Sequence, residues 1–323
     1  MKKVSIVTVN FNQSLVTEQL LASIAATNNY HNIEIIVVDN ASKINPIPDW
    51  ITKYRDIKFL RSDLNLGFAG GNNLGMKIAT GDYYFLVNND TEFTEGLVEK
   101  MVAIFDENPE VGMASPKICY FDEPDKLQYV GFTPMNFNTA RNSCIGQFER
   151  DTGQYDHLTG KTGYIHGAAM MVRKEAIDKA GMMAENFLEE EEENAGLMNE
   201  NFFLYYEEID WCEQIKRCGY EAWVEPRALI YHKESLSVGK KSPLKEFFMN
   251  RNRILFIRRN SPSRKSRVTF YIFFLLVVTP RNLLNYLKDR RMDLAVQLFR
   301  AIGWNLTHRK FSADLGYPIN RIP

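Results

Sequence analysis

The sequence has few cysteines, no long uncharged run and no dinucleotide-binding glycine motif after its first strand. Its four cysteines are irregularly spaced among 323 residues, which excludes a disulfide framework and a zinc site and favours a reducing compartment. The longest uncharged apolar stretch, Val268 to Pro280, has 13 residues, fewer than the roughly 18 to 20 that span a bilayer. The first apolar run, residues 4–9, is too short for a signal peptide. We therefore expect a cytoplasmic protein.

Charge is balanced overall but not along the chain. Lys and Arg number 39 and Asp and Glu 40, so we expect no nucleic-acid partner. Between Phe247 and Lys288, however, nine basic residues and no acidic one accompany aromatic and aliphatic residues. This order is typical of a helix on the anionic inner face of a membrane. A pair of helices packed on the preceding domain would give the same pattern.

Strand-like and helix-like segments alternate through the first part of the chain. Four runs rich in apolar and β-branched residues are separated by helical patterns: residues 4–9, 33–39, 57–62 and 83–90. Such runs predict strands buried on both faces, and helices between them predict a parallel sheet. We therefore predict an α/β fold over residues 1–242, a Rossmann-like and mostly parallel sheet flanked by helices. Residues 243–323 are predicted to form a C-terminal helical extension.

Polar residues follow the predicted strands at the edge where ligands bind in such sheets. Asp90 closes one apolar run, after Asn88 and Asn89. A carboxylate there can hold a divalent cation that neutralises a nucleotide diphosphate. An Asx turn that ends the strand would give the same pattern.

Eight sequence blocks, from VSIVTVNFN near the amino terminus through NENFFLYYEEIDWC to MNRNRILFIRRN, resemble family 2 glycosyltransferases, especially the rhamnosyltransferase-like branch. The resemblance covers residues 3 to 260. It implies the GT-A fold and an inverting transfer from a dTDP- or UDP-sugar with Mg²⁺ or Mn²⁺, and the branch suggests rhamnose as the sugar. The implied acceptor is a saccharide, lipid-linked through a polyprenyl carrier, in cell-surface polysaccharide synthesis on the inner face of the membrane.

The resemblance also implies residue roles. Its nucleotide-binding positions are Thr8, Asn10, Asp39, Asn65, Gly67, Gly71, Asn72, Asn88 and Asn89. Asn88 stands where the family has the first carboxylate of an Asp-x-Asp-like signature, so Asp90 is expected to be the main metal ligand and His232 a further one. Arg251 and Arg253 are expected to face the donor diphosphate or a lipid pyrophosphate, because guanidinium groups suit phosphate oxygens.

Glu207, Glu208 and Asp210 stand at the start of a predicted helix. Glu208 matches the family's catalytic base, which deprotonates the acceptor hydroxyl. Because Glu is longer than the family's usual Asp, Asp210 is a substitute candidate. Favourable charge at a helix N-terminus is the simpler explanation of all three carboxylates. Gly167 and Ala168 resemble the small-residue wall between donor and acceptor, and Trp211 is expected to pack in the core rather than stack on a sugar.

Two other functions stay open. A nucleotidyltransferase shares the sheet but needs a Gly-rich, basic loop after the first strand, which VNFNQS lacks. A non-catalytic sugar-nucleotide-binding partner protein would tolerate Asn88 in place of a carboxylate. It would also tolerate the Glu-rich insertion from Glu185 to Asn199, which is predicted to be a solvated loop.

Overall fold

A computed structural model of the chain describes residues 1–185, 196–233 and 242–318. The predicted Glu-rich insertion therefore lies mostly outside the described residues. Ten strands occur in these ranges: β1 (Val4–Asn10), β2 (Ile33–Asn40), β3 (Ile57–Ser62), β4 (Tyr83–Val87), β5 (Thr91–Phe93), β6 (Val111–Tyr120), β7 (Leu127–Tyr129), β8 (Gly160–Lys161), β9 (Ala169–Arg173) and β10 (Glu221–His232).

The same ranges contain ten α-helices: α1 (Ser14–Thr27), α2 (Ile47–Lys53), α3 (Gly67–Met76), α4 (Leu97–Glu107), α5 (Lys174–Glu185), α6 (Glu207–Arg217), α7 (Pro243–Asn260), α8 (Arg264–Phe273), α9 (Thr279–Lys288) and α10 (Met292–Thr307). A π-helical turn, Phe274–Val278, joins α8 to α9. At the start of α7, the hydroxyl of Ser242 accepts a hydrogen bond from the backbone N–H of Lys245, and Pro243 occupies the first turn.

The strands form one sheet in the order β3-β2-β1-β4-β9-β6-β10-β5, with β7 beside β6 and β8 beside β10. Six of these strands, β1 to β4, β6 and β10, run in one direction, because β9 is antiparallel to both of its neighbours. The predicted α/β fold with a mostly parallel sheet is confirmed. The carboxyl ends of those six strands share one edge.

Apolar side chains on both faces of the central strands explain the layered packing. On β1, Ile6 belongs to a buried cluster with Leu97 of α4, whereas the adjacent Val7 belongs to a second cluster on the other face, with Met76 of α3. Both strand residues are fully buried. Successive side chains of a strand point to opposite faces, so a wholly apolar run requires helices on both sides.

The C-terminal helices share the second of these clusters. Phe256 of α7 and Trp304 of α10 are buried with Val7. In the continuous helical segment Arg264–Lys288, Phe274 is buried, while Leu276 is 72% exposed. Packing on the preceding domain, one of the two sequence interpretations, therefore describes one face of this segment, and the other face is exposed.

The segment Arg264–Lys288 also revises the expectation that nothing in the chain is long enough to span a bilayer. By length and composition alone, its 25 residues could form a membrane-crossing helix. The most apolar 18 residues of the segment have a mean hydropathy of 1.4, and 17% of them are buried. The sequence count stopped at the charged Arg267 and Arg281, whereas the helix continues through both.

Candidate active site

A cavity of about 690 Å³ opens at the carboxyl edge of the sheet. Its wall includes Asn40 at the end of β2, Asp90 after β4, His232 at the end of β10, and Glu207 and Glu208 at the start of α6. This volume is typical of small-molecule sites. A more open groove of about 830 Å³ between α1 and β3 is lined mainly by aliphatic side chains, so we place the site at the sheet edge.

Asp90 and His232 meet because the strand ladder brings them together. β5 begins directly after Asp90, and its first residue, Thr91, pairs with His232 of β10. The Nε2 atom of His232 lies 3.1 Å from Oδ1 of Asp90, and both side chains are nearly buried. The predicted convergence of these two residues is therefore present in the structure.

The hydrogen bonding around His232 fits a divalent cation. Its Nδ1 lies 2.9 Å from Oε1 of Gln128. Because an amide oxygen only accepts, Nδ1 carries a hydrogen, which leaves Nε2, the nitrogen that faces Asp90, as the one that can bind a metal ion. Oδ1 of Asp90 is buried without a hydrogen-bond donor. Two ligands bound to one cation at about 2.1 Å each lie about 3 Å apart, close to the observed separation.

Asp90 and His232 are two ligands of the histidine and carboxylate kind. Across residues 1–185, 196–233 and 242–318, no three His, Cys, Asp or Glu side chains gather around one point. Mg²⁺ is commonly bound by one or two carboxylates together with substrate phosphates. The Asp90–His232 pair therefore suits a cation that is bound by the protein and a diphosphate together.

Five of the predicted nucleotide-binding residues line the cavity: Asn65, Gly67, Asn72, Asn88 and Asn89. The loop before α3 is held by Asn40, whose Nδ2 donates to Oδ1 of Asn65 and to the carbonyl of Gly67, at 3.0 and 3.1 Å. Gly67 has φ +70°, and a β-carbon there would lie 2.2 Å from the carbonyl oxygen of Phe203. Only glycine fits this position.

Four other predicted nucleotide-binding residues do not reach the cavity wall: Thr8, Asn10, Asp39 and Gly71. The side chain of Asn10 donates to Asp39 at 2.8 Å, and Arg61 of β3 forms an ion pair with the same carboxylate. Gly71 instead allows α3 to approach β1, because a β-carbon there would lie 2.9 Å from Val9. Asn10, Asp39 and Gly71 therefore support the fold around the cavity, and Thr8 is buried with its hydroxyl oxygen unpartnered. The contact of these four residues with a nucleotide stays a prediction.

Glu207 and Glu208 are the two glutamates that line the cavity. Glu207 is 4% exposed, and its Oε2 is buried without a hydrogen-bond partner. Gly167 and Ala168 also line the wall, as predicted, and a β-carbon at Gly167 would lie 3.8 Å from Cδ of Glu208. The small residue therefore leaves space beside this carboxylate.

Both carboxyl groups are more basic than ordinary glutamates. Desolvation raises the pKa of Glu208 to about 7. It also raises the pKa of Glu207 well above its usual value, and the neighbouring charge of Glu208 adds to this shift. A carboxyl group with a pKa near the working pH is suited to general base catalysis.

An unusual turn presents these two glutamates. Phe203, Tyr205 and Tyr206 all have positive φ angles, between 61° and 76°, a conformation that costs free energy for residues other than glycine. Asn252 of α7, which is fully buried, holds this turn: its Nδ2 lies 2.7 to 2.8 Å from the carbonyl oxygens of Phe202, Leu204 and Tyr205. The sequence analysis did not identify this contact.

The two remaining predicted site residues lie elsewhere. Asp210 is fully buried and accepts hydrogen bonds from Arg259, Asn260 and Gln214, so its oxygens are already used inside the protein. Arg251 is also fully buried. Its guanidinium carbon lies 3.9 Å from the ring centroid of Trp304 and its Nη1 donates to Asn252. Neither Asp210, the predicted substitute base, nor Arg251, a predicted diphosphate ligand, lines the cavity in this structure.

The expectation for Trp211 agrees with the structure. Its side chain is fully buried and donates to the carbonyl of Gly196 at 2.8 Å, which is core packing. Sequence reasoning missed His166, which lines the cavity 6.3 Å from the ring of His232. Burial lowers the pKa of His166 to about 3, helped by the charge of His232, and its Nδ1 accepts from the N–H of Ala168.

The model of the family described as Glycosyl transferase family 2 matches residues 5–181 of the chain. That region holds the strands and loops of the cavity as far as β9, including Asp90. The chain belongs to glycosyl transferase family 2. A mannosyltransferase from Pyrobaculum calidifontis, solved with GDP-Man and Mn²⁺, aligns with a TM-score of 0.54 at 13% identity over 95% of this chain and 87% of that one. The shared architecture is the GT-A fold.

Three curated relatives of this family 2 protein are 20 to 25% identical to it over the matched residues. The hexosyltransferase Agl10 of low-salt glycan biosynthesis in Haloferax volcanii is 25% identical over 66% of the chain. An N-acetylglucosaminyl-diphospho-decaprenol L-rhamnosyltransferase of Mycobacterium tuberculosis is 20% identical over 73% of the chain and 77% of that protein. The chain spans 61% of Agl10 and 23% of an uncharacterised protein of Sinorhizobium fredii that is also 25% identical.

Proposed function

We propose that this protein is an inverting glycosyltransferase that moves a sugar from a nucleotide-sugar donor to a saccharide acceptor in the synthesis of a glycan. One observation carries the proposal: the Asp90–His232 pair and the carboxylate of Glu208 face the same cavity. A metal-binding pair for a diphosphate and a basic carboxylate for a hydroxyl are the two requirements of such a transfer.

In the proposed reaction, Glu208 removes the proton from the acceptor hydroxyl as that oxygen attacks the anomeric carbon. The bond from the anomeric carbon to the diphosphate oxygen breaks on the opposite face, and the nucleoside diphosphate leaves. Asp90 and His232 hold the divalent cation, which when bound neutralises the charge that develops on the leaving diphosphate. The uncharged ring of His166 adds no positive charge beside this pair.

The donor is proposed to be a dTDP- or UDP-sugar, with Mg²⁺ or Mn²⁺. The GDP-Man and Mn²⁺ in the structure of the Pyrobaculum mannosyltransferase support a nucleotide-sugar with a metal. Rhamnose is proposed as the sugar, with the name of the mycobacterial relative as its support. The same name supports an acceptor linked to a polyprenyl diphosphate.

A panel of nucleotide-sugars tests this function directly. Thermal unfolding is measured with each sugar, with and without Mn²⁺, because a ligand that binds only the folded state raises the transition temperature. We expect one or a few donors to stabilise the protein in a metal-dependent manner. In Asp90→Asn this metal dependence is expected to disappear, whereas the exposed variant Asp63→Asn keeps it. A panel without any metal-dependent donor would contradict the proposal.

We propose further that the protein acts at the inner face of the cell membrane. Ile272, Leu276 and Leu284 expose 55%, 72% and 60% of their surface on the segment Arg264–Lys288. Basic residues flank this apolar face, among them Arg264, Lys265 and Arg267, and each basic residue near an anionic surface contributes about 1 kcal/mol. Such a surface suits a helix that lies in the interface.

Vesicle flotation tests the membrane proposal. The protein is expected to float with vesicles of phosphatidylglycerol and phosphatidylcholine, and less with phosphatidylcholine alone. Leu276→Gln together with Ile272→Gln is expected to reduce flotation, because both side chains are exposed and do not support the core. Equal flotation of the double variant and the parent protein would contradict the assignment of this face.

A further inference from the structure

Two arginines without acidic partners lie beside the turn that precedes Glu207. Arg253 of α7 donates from Nη2 to the carbonyl of Thr139 at 2.7 Å, and its Nε is buried without a hydrogen-bond partner. Arg141 follows Thr139 by two residues, and its guanidinium carbon lies 5.3 Å from the ring centroid of Phe273 on α8. Within the described residues, neither arginine forms an ion pair.

The turn itself links these arginines to the active site. Phe137 and Tyr206 both contact Phe256 of α7, each with ring centroids 5.8 Å apart. Tyr206 is the residue directly before Glu207. Burial raises the pKa of Tyr206; the charges of Arg253 and Arg141 oppose this shift and the charge of Glu208 adds to it. The charges of the two arginines and of Glu208 therefore all affect the pKa of the Tyr206 hydroxyl group.

Two other arginines of α7 have partners inside the protein, although Nη2 of Arg251 and Nη1 of Arg259 are buried without a hydrogen-bond partner. Arg259 pairs with Asp210, and Arg251 stacks on Trp304. Arg253 is only half-buried, so a ligand can reach it from the side of Arg141, which is exposed. Desolvation lowers the pKa of Arg253, and the like charge of Arg141 contributes in the same direction. Two neighbouring guanidinium groups without a counter-ion are a favourable place for a doubly charged anion, which both can bind through paired hydrogen bonds.

We propose that Arg141 and Arg253 bind the diphosphate of a lipid-linked acceptor, which holds the acceptor sugar at Glu208 while its apolar chain follows the exposed face of the segment Arg264–Lys288. The proposal rests on the proposed glycosyl transfer and names its acceptor class. Phe273, which lies under Arg141, is adjacent in sequence to the exposed Ile272. An anionic group and an apolar chain on one molecule match this arrangement of charge and apolar surface.

A donor diphosphate explains these arginines less well. Neither Arg141 nor Arg253 lines the cavity that contains Asp90 and His232. The donor diphosphate is instead assigned to that metal-binding pair. Two diphosphates, one for the donor and one for the acceptor, then bind at two different groups of side chains.

The test measures the binding of farnesyl diphosphate by isothermal titration in EDTA, so that no metal at Asp90 and His232 captures the diphosphate. Farnesol is the probe without phosphate, and inorganic pyrophosphate is the probe without the apolar chain. We expect farnesyl diphosphate to bind more tightly than either. Arg141→Gln and Arg253→Gln are each expected to weaken its binding at least tenfold and to leave farnesol binding unchanged.

Arg150→Gln is the matched control, since Arg150 is exposed and lies outside this group, and it is expected to bind all three probes normally. Arg253→Lys keeps the charge, and its unfolding curve checks that α7 is intact. Unchanged binding of farnesyl diphosphate in both Gln variants would overturn the proposal. Pyrophosphate binding as tight as that of farnesyl diphosphate would overturn its lipid component and leave a site for free diphosphate.

A failure here is distinguishable from a failure of the proposed function. Donor binding is measured separately, by the metal-dependent thermal shift with nucleotide-sugars. A protein that binds its donor normally but shows no preference for farnesyl diphosphate over farnesol would lose this acceptor site and keep the transferase function.

Discussion

The two halves of the cavity are built in different ways. Asp90 and His232 are held by neighbouring positions in a strand ladder. Glu207 and Glu208, in contrast, follow a turn whose three positive φ angles are held by Asn252, a residue of α7. The half that contains Asp90 and His232 therefore belongs to the sheet, whereas the geometry of Glu207 and Glu208 depends on a C-terminal helix.

This difference bears on the predicted division at residue 242. α7 shares a buried cluster with strands of the sheet and supports the catalytic turn. A segment that behaves in the sequence as an extension thus contributes to the site. The division itself stays a prediction, and the variants below test how strongly the two regions depend on each other.

Glu208→Gln is expected to have the largest effect on the carboxylate half. Removing the base lowers kcat by about 10² to 10⁴-fold, while donor stabilisation in the thermal shift is retained because Asp90 and His232 are intact. Steady-state transfer assays measure the loss. Asp210→Asn is the comparison: it leaves Arg259 buried without its partner and costs about 3 kcal/mol of stability or more. Normal turnover by Glu208→Gln would show that another group is the base.

Asn252→Ala tests whether α7 supports the turn. Three carbonyl groups, one buried and two partly buried, share the two N–H groups of Asn252 and lose them, at a cost of about 1 to 3 kcal/mol for a buried group left unsatisfied and less where water enters. We expect a lower free energy of unfolding in urea and a reduced kcat, with Mn²⁺-dependent donor binding nearly unchanged. Asn250→Ala, on the same helix but bonded only to Glu246, is the control. Equal losses in both variants would argue against a specific support.

The pH dependence of the reaction reports on Glu208. Only the ionised carboxylate accepts a proton, and its pKa is raised to about 7. The value of kcat/KM is therefore expected to fall about tenfold for each pH unit below 7 and to level off above it. A pH–rate profile with its acid limb near pH 4.5 would indicate a solvent-exposed base instead.

Glu207→Gln is expected to have the smallest effect, on stability. Folding raises the pKa of Glu207 above its unfolded value, so the native state binds the proton more tightly and loses stability as pH rises above about 4.3. The variant removes this loss. Its transition temperature relative to the parent is therefore expected to increase as the pH rises above about 4.3. A difference independent of pH would contradict a neutral Glu207.

Much of the ligand edge could be predicted because strand ends are recognisable in the sequence. Asp90 follows an apolar run, and its approach to His232 follows from the common edge of a parallel sheet. The same reasoning did not show that Arg61 on the adjacent strand forms an ion pair with the carboxylate of Asp39. It also did not show that Arg251 is more deeply buried than Arg253, because α7 is buried on most of its surface and carries no polar stripe that distinguishes the two.

By itself, the sequence determined the layered α/β architecture and the sheet edge at which polar residues gather, because periodic apolar patterns and strand ends are properties of short segments. The family followed from the resemblance of eight sequence blocks. Only the tertiary structure decided that Glu207 and Glu208 enter the cavity while Asp210 is paired with Arg259. It also decided that Asn252 holds the catalytic turn. Burial and hydrogen-bond partners depend on segments far apart in the chain, and no local pattern encodes which of them meet.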